Sequence, residues 1–394
     1  MFARPPATFA TRHSPAAAAK AAAATTGMAG KPWVHACFAR AAPFKAMVSV
    51  LSPLLSELPL DFVAGSAPQM RVERMSSTPV AFVALVAEAP FFARLAVRRS
   101  CQVAVSMPTL VKICKHIGAD DLLELLYYGD ERVDPRLELR VTRGSAATSF
   151  ALRTMRISGD ALAIPAMAFA AQATMSAAAF RGAVDAFGDL SDSVWLSVYP
   201  GGLYVHGSGD AGEVRTLVPA GEDDGGEAEG PVAVLRRCDE GAAVQLPVML
   251  TYLMHFAAAA ALSPHVQISV APDVPLRVRF PLRGAAGETG AGGHVDFYMA
   301  PRELGDEQPP PLPLPPAKRA RRATEAEGAR EGNAGEGAGE GEAEGAREGN
   351  AGEGAGEGEA VAGEGVKAAE GAEGEAEVEG AKEEGGVVDW LFGE

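Results

Sequence analysis

The sequence predicts an α+β protein of two similar domains, each an antiparallel sheet carrying two helices on one face. Three observations predict it. A unit of short strand, helix and alternating strands recurs four times between residues 34 and 302. Within each unit the apolar spacing changes from the helical period to the period of two that a half-buried strand requires. Outside residues 34–302 that patterning stops, so the folded part is confined to them.

The first unit opens with a strand over residues 35–39. A helix is expected over 43–58, where Phe44, Met47, Val48, Leu51, Leu54 and Leu55 hold helical spacing, and strands near 60–63 and 80–86 follow. The second runs from strand 102–105 into a helix over 108–117, with Pro108 suited to the first turn and Gly118 to a glycine C-cap, then strands 122–127 and 137–141. In the third, strand 172–175 leads to helix 177–187, strand 194–198, a Pro200-Gly201-Gly202 turn and strand 203–206. Strand 243–246 and Pro247 enter the fourth: helix 251–261, then strands 265–270, 274–280 and 295–300. Residues 143–165 between the pairs are long for an ordinary connection, and residues 220–230, rich in Gly, Glu and Asp, read as an exposed loop. Expected limits are 1–32 for an extension, 33–147 and 166–303 for the two domains, 148–165 for their connector and 304–394 for a tail.

Charge divides the chain at its tail. Residues 324–394 hold 21 acidic side chains against Arg330, Arg347, Lys367 and Lys382, so the net −16 of the 394 residues resides there and the first 323 sit near +1. Cys37, Cys101, Cys114 and Cys238 lie far apart without CxxC spacing, which argues against a disulfide framework or a zinc site, and no cofactor is expected. No apolar run approaches the roughly 20 residues needed to cross a bilayer, so no membrane partner is expected. His116, His206 and His255 each stand alone in sequence, and the GxG strings of the tail lack the strand and helix of a phosphate loop. An enzyme is not predicted.

Residues 250–302 contain, in order, a helix, Leu262-Ser263-Pro264, a strand, Asp273-Val274-Pro275-Leu276, an aromatic strand and Ala300-Pro301-Arg302. Upstream stand Phe44-Lys45 opening the first helix, Met75 with Val80 and Phe82, Val105-Ser106-Met107 before the second helix, Leu162-Ala163-Ile164-Pro165 between the pairs, and Gly207-Ser208-Gly209-Asp210. Together these words resemble the eukaryotic DNA sliding clamp, the proliferating cell nuclear antigen family, over residues 34–302. The resemblance implies two clamp domains per chain, helices on the inner face, and a closed homotrimeric ring that threads double-stranded DNA without reading its sequence. It implies a processivity factor in the nucleus that docks DNA polymerase, a clamp loader and other proteins of replication and repair carrying a clamp-interacting motif.

The residues matching the family's DNA-facing positions are Lys45, Lys112, Lys115, His116 and Arg181. Asp185 stands where the family usually has arginine and Ala258 where lysine is common, which keeps open a clamp-fold hub that binds protein motifs without encircling DNA. Those matching the partner-peptide pocket are Met75, Val80, Phe82, Leu162, Ile164, Pro165, Pro275, Tyr298, Ala300 and Pro301. Trimerisation is expected to pair residues 137–141 of one subunit with 214–218 of the next.

The ends carry separate signals. Residues 1–32 contain Arg4, Arg12, Lys20 and Lys31 but no carboxylate, and read as a disordered extension or an organellar transit peptide. Residues 309–316 form a polyproline II spacer ahead of Lys318, Arg319, Arg321 and Arg322, a cluster that resembles a nuclear import signal. The Glu/Gly/Ala tail repeats residues 325–333 at 342–350 and cannot bury enough apolar surface to fold. Its Val388, Leu391 and Phe392 partly imitate the clamp-interacting motif, which leaves two readings open: weak docking of the tail on the chain's own pocket, or an end that binds an unrelated partner or nothing.

Overall fold

The structure, a computed structural model, describes residues 31–129, 135–156, 164–188, 190–210, 212–221, 234–236, 243–302 and 308–313. Leu162, the basic cluster at 318–322, most of the 1–32 extension, most of the 220–230 loop and the Trp390-Leu391-Phe392 end lie outside the described residues.

Two halves repeat one element order. The first runs β1 (Val34–Phe38), α1 (Ala42–Leu51), β2 (Glu57–Val63), β3 (Gln69–Met75), β4 (Ala81–Glu88), a 3-10 turn (Ala89–Phe91), β5 (Arg94–Val97), β6 (Cys101–Ser106), α2 (Met107–Cys114), β7 (Leu122–Tyr127), β8 (Arg136–Arg143) and β9 (Ala146–Arg153). The second runs β10 (Ala171–Ser176), α3 (Ala177–Asp185), β11 (Ser193–Tyr199), β12 (Gly202–Gly209), β13 (Gly212–Pro219), β14 (Val234–Arg236), β15 (Val244–Met249) and α4 (Leu250–Ala257). A 3-10 turn (Ala258–Ala261) continues α4, and β16 (His265–Val270), β17 (Leu276–Arg283) and β18 (Thr289–Met299) complete it.

The strands form three antiparallel sheets. Their orders are β5-β1-β7-β8-β9, β14-β10-β16-β17-β18-β4-β3-β2-β6, and β13-β12-β11-β15. Element by element, the first sheet repeats as the β14-to-β18 part of the second, and the β4-to-β6 part of the second repeats as the third. The halves join where β18 pairs β4, in the register Val295 with Leu85 and Phe297 with Val83. Gly293 makes the approach possible: its φ is +103°, and a Cβ there would overlap the carbonyl oxygen of Val86.

The main core lies between sheets and helices. Phe44, Met47 and Leu51 of α1, Phe180 and Val184 of α3, and Leu253 and Phe256 of α4 meet alternate residues of the strands, such as Leu60, Leu196 and Phe297. The helices form one row, with α1 against α2, α3 against α4, and the 258–261 turn touching both α1 and α3.

Several elements differ from the sequence expectation. Helix α1 stops at Leu51, not at residue 58, because Pro53 follows its C-cap Ser52; Leu54, Leu55 and Leu58 keep helical spacing only because a turn and a strand also point them at the core. Helix α2 ends at Cys114, so Gly118 caps nothing. It sits instead where a Cβ would lie 3.0 Å from the carboxylate oxygens of Asp121. Residues 148–153, read as connector, belong to β9. Consequently 137–141 lies in β8, paired on both sides by β7 and β9, and cannot be the free edge expected of it. Residues 214–218 do lie on an edge strand, β13.

Ion pairs pin the loop that follows α2. Asp121 accepts Arg143 Nε at 2.9 Å, Arg143 Nη2 at 2.7 Å and the Gly118 amide at 2.6 Å, and the hydrogen bonds to Arg143 hold its carboxyl below the usual range. Glu124 is likewise held low, chiefly by its 2.8 Å hydrogen bond with His35. Burial lowers His255 and His294. All four groups bind protons more readily unfolded, so each contributes stability that is lost as pH falls through its folded pKa. We expect the melting temperature to decline in two stages, first below about pH 6.5 as the histidines charge, then below about pH 4 as the carboxylates protonate. Asp61, raised by burial, works in the opposite sense and blunts the second stage. A melting temperature flat from pH 7 to 3 would refute the scheme, and Asp121→Asn should shrink the second stage.

Candidate functional site

Two surfaces collect the residues singled out above. On the helix layer, Lys112 projects exposed from α2, with Lys115 at its C-cap and His116 one residue on, both exposed. Lys45 of α1 is used differently: half-buried, it donates its ammonium to the carbonyl of Ile117, satisfying a backbone group beyond the end of α2. Arg181 of α3 lies 3.3 Å from Asp185 one turn later, both about half exposed, so the pair presents no net charge. A cleft of about 510 Å³ between α3 and α4 is lined by this pair with Asp192, Thr251, His255 and Ala258. His255, lowered by burial, is neutral near pH 7. Among the described residues, net positive charge on the helix row is therefore concentrated at α2, and the α3–α4 side carries none.

The second surface is on the opposite side of the long sheet. The alternation of β4 sends Ala81, Val83, Leu85 and Ala87 into the main core and Phe82 and Ala84 outward. Across the ladders Met75 faces Phe82 and Phe82 faces Tyr298, so β3, β4 and β18 set three large side chains in one row. Phe82, Ala84 and Tyr298 are buried in a cluster of their own, ringed by Met75, Ile164, Met167 and Ala300. The Phe82 and Tyr298 rings stand 6.4 Å apart and tilted. Ile164 and Met167 belong to the segment crossing this face after β9, so an aliphatic and a thioether side chain roof an aromatic floor.

Polar groups fix that floor. Asp296, 2% exposed, accepts Arg279 Nε and Nη2 at 2.6 Å each and the Tyr298 hydroxyl at 3.2 Å. Burial and then the Asp296 charge push the Tyr298 phenol up to about 12, so it stays a donor. Arg277, opposite Tyr298, donates to Ser269 at 3.0 Å and covers the Phe169 ring at 4.4 Å.

Of the expected pocket residues, the structure groups Met75, Phe82, Ile164, Tyr298 and Ala300. Val80 packs on the main core instead. Pro165 is exposed beside Ile164, Pro275 is buried ahead of β17, and Pro301 is half-buried after Ala300. Ala84 and Met167 were missed. Period-two spacing from Phe82 would have found Ala84; nothing local marks Met167, since a connector has no period. Among the described residues, no group of three or more His, Cys, Asp or Glu could hold a metal ion. None of the helices described there is long and apolar enough to cross a membrane.

Comparison with known proteins agrees with this geometry. Residues 163–302 match the family model for the proliferating cell nuclear antigen C-terminal domain. The proliferating cell nuclear antigen of Caenorhabditis elegans is 26% identical over 282 residues, covering 69% of this chain and 98% of that protein. A crystal structure of proliferating cellular nuclear antigen from Entamoeba histolytica superposes with a TM-score of 0.58 at 22% identity, covering 69% of this chain and all of that one. With its repeated halves, antiparallel sheets and single row of helices, the chain has the clamp fold, and its residues 163–302 match the C-terminal domain of the proliferating cell nuclear antigen family.

Proposed function

We propose that this protein is a DNA sliding clamp that closes into a homotrimeric ring, raises polymerase processivity, and docks replication and repair proteins through the Phe82–Tyr298 pocket. One observation carries the reading. Strands β9 and β13, both sheet edges, are the repeat equivalents of β18 and β4, which already pair inside the chain. A neighbouring copy that repeats this joint pairs β9 with β13 and removes both free edges. Leu217, on the β13 edge, is an exposed apolar side chain, as is Met155 two residues past the end of β9.

The ring would place the helix row around DNA, where Lys112 and Lys115 meet phosphates without reading bases. Nothing is catalysed; holding a polymerase at the primer end raises its effective concentration. We place the domain limits at 33–153 and 171–302, the connector between them, and the protein in the nucleus on the strength of Lys318, Arg319, Arg321 and Arg322. The Arg181–Asp185 pair and Ala258 favour a second reading, a ring or monomer that docks proteins but holds DNA weakly.

Leu217→Asp is expected to convert the oligomer to monomers in analytical ultracentrifugation, with circular dichroism unchanged and primer extension on loaded circular DNA lost. A wild-type monomer would overturn the ring. A wild-type trimer without stimulation at any salt concentration would favour the docking hub.

A further inference from the structure

The repeat continues beyond the last strand. After β9 the Met155 amide donates to Ala104 O on β6 at 2.9 Å; after β18 the Arg302 amide donates to Pro247 O on β15 at 2.8 Å. Ala104 and Pro247 each stand three residues before a helix, Met107 of α2 and Leu250 of α4. The chain leaving β18 thus starts on the course taken by the chain leaving β9. In the first half the chain beyond β9 packs Ile164 and Met167 onto the Phe82–Tyr298 cluster. In the second it brings residues 308–313, Gln-Pro-Pro-Pro-Leu-Pro, to the third sheet, where Gln245 Nε2 donates to Pro310 O at 3.1 Å. Pro310, Leu312 and Pro313 are half-buried there.

The face they reach is built for such a segment. On β11, Val194, Leu196 and Val198 point into the main core, so Trp195, Ser197 and Tyr199 point away from it. Cross-strand pairing adds Gln245 and Tyr204 beside Ser197, and His206 beside Trp195. No described helix covers this side, yet Ser197 is 0%, Tyr199 4% and Tyr204 5% exposed. Consecutive prolines fix a polyproline II helix, which makes no internal hydrogen bonds and therefore binds through flat apolar surfaces and donors to its carbonyls. Aromatic rings with an amide donor among them supply both. The segment in place uses one donor, Gln245. The buried Tyr199 hydroxyl and His206 Nδ1 have no partner among the described residues.

We propose that the outer face of the β13-β12-β11-β15 sheet is a second docking surface, specific for polyproline II segments, occupied in cis by residues 308–313 and opened by exchange to a proline-rich segment of a partner protein. The unfilled hydroxyl favours exchange: a ligand with a carbonyl that reaches Tyr199 gains a bond that the resident segment does not make.

The test uses the full chain and a fluorescein-labelled peptide of sequence 308–316, followed by anisotropy. The variant Pro310→Gly, Pro311→Gly, Leu312→Ser, Pro313→Gly frees the face and should bind the peptide at least tenfold more tightly than the unaltered chain. Gln245→Ala in that background should weaken binding about fivefold, as for one lost hydrogen bond. A peptide with its prolines replaced by glycine should not bind. The proposal falls if the freed variant ignores the peptide, if both chains bind it equally, if Gln245→Ala has no effect, or if the glycine peptide binds as well.

Discussion

Lys112→Glu combined with Lys115→Glu is expected to abolish stimulation of polymerase on loaded circular DNA, while oligomeric state and melting temperature should stay unchanged. Both side chains are exposed on or at the cap of α2 and make no described contact that folding depends on, so reversing them alters the charge of the helix row without touching the core. The effect should be large because the other side of the row is neutral. Arg181 is matched by Asp185 at 3.3 Å, and Lys45 is committed to Ile117 O. Losing two phosphate contacts should lower the slope of log affinity against log salt by about 2. In the companion test, Asp185→Arg releases Arg181 and adds a cation, and DNA retention should rise. Undiminished stimulation by the double reversal would remove α2 from the DNA path; a flat response to Asp185→Arg would remove α3.

Asp296→Ala should cost about 3 kcal/mol of stability, read as a fall in melting temperature. The buried carboxylate holds both nitrogens of the Arg279 fork and the Tyr298 hydroxyl, and its removal strands a guanidinium and a phenol that the fold has largely desolvated. The same change loosens the floor of the pocket, so affinity for a clamp-interacting peptide should fall with it. Ile164→Ala separates the two effects. It trims the roof alone, and should weaken the peptide by about 1–2 kcal/mol with melting unchanged. If peptide affinity ignores Ile164, the docking surface lies elsewhere; if melting ignores Asp296, the ion pair does not hold the floor.

How far the sequence reached differs between the two surfaces. The placement of Lys112 and Lys115 on one helix face, and of Phe82 and Tyr298 on one sheet face, was legible because a helix or strand period fixes which side of an element a residue occupies. Asp296 was not. An acid within an alternating strand reads as a solvated residue until its partner Arg279, on the neighbouring strand, is seen to cover it. Lys45 was legible as a cation but not as a spent one, since Ile117 is 72 residues away in sequence.

The sequence by itself determined the four units, their helices and the alternation of their main strands, because propensity and apolar period act over a few residues. The tertiary structure alone decided that β18 joins β4, that β9 and not β8 is the free edge, and that residues 308–313 lie on the third sheet. Pairing, edges and docking depend on which distant backbone groups meet, and a hydrogen bond between Arg302 and Pro247, or between Gln245 and Pro310, leaves no period in the chain to be read.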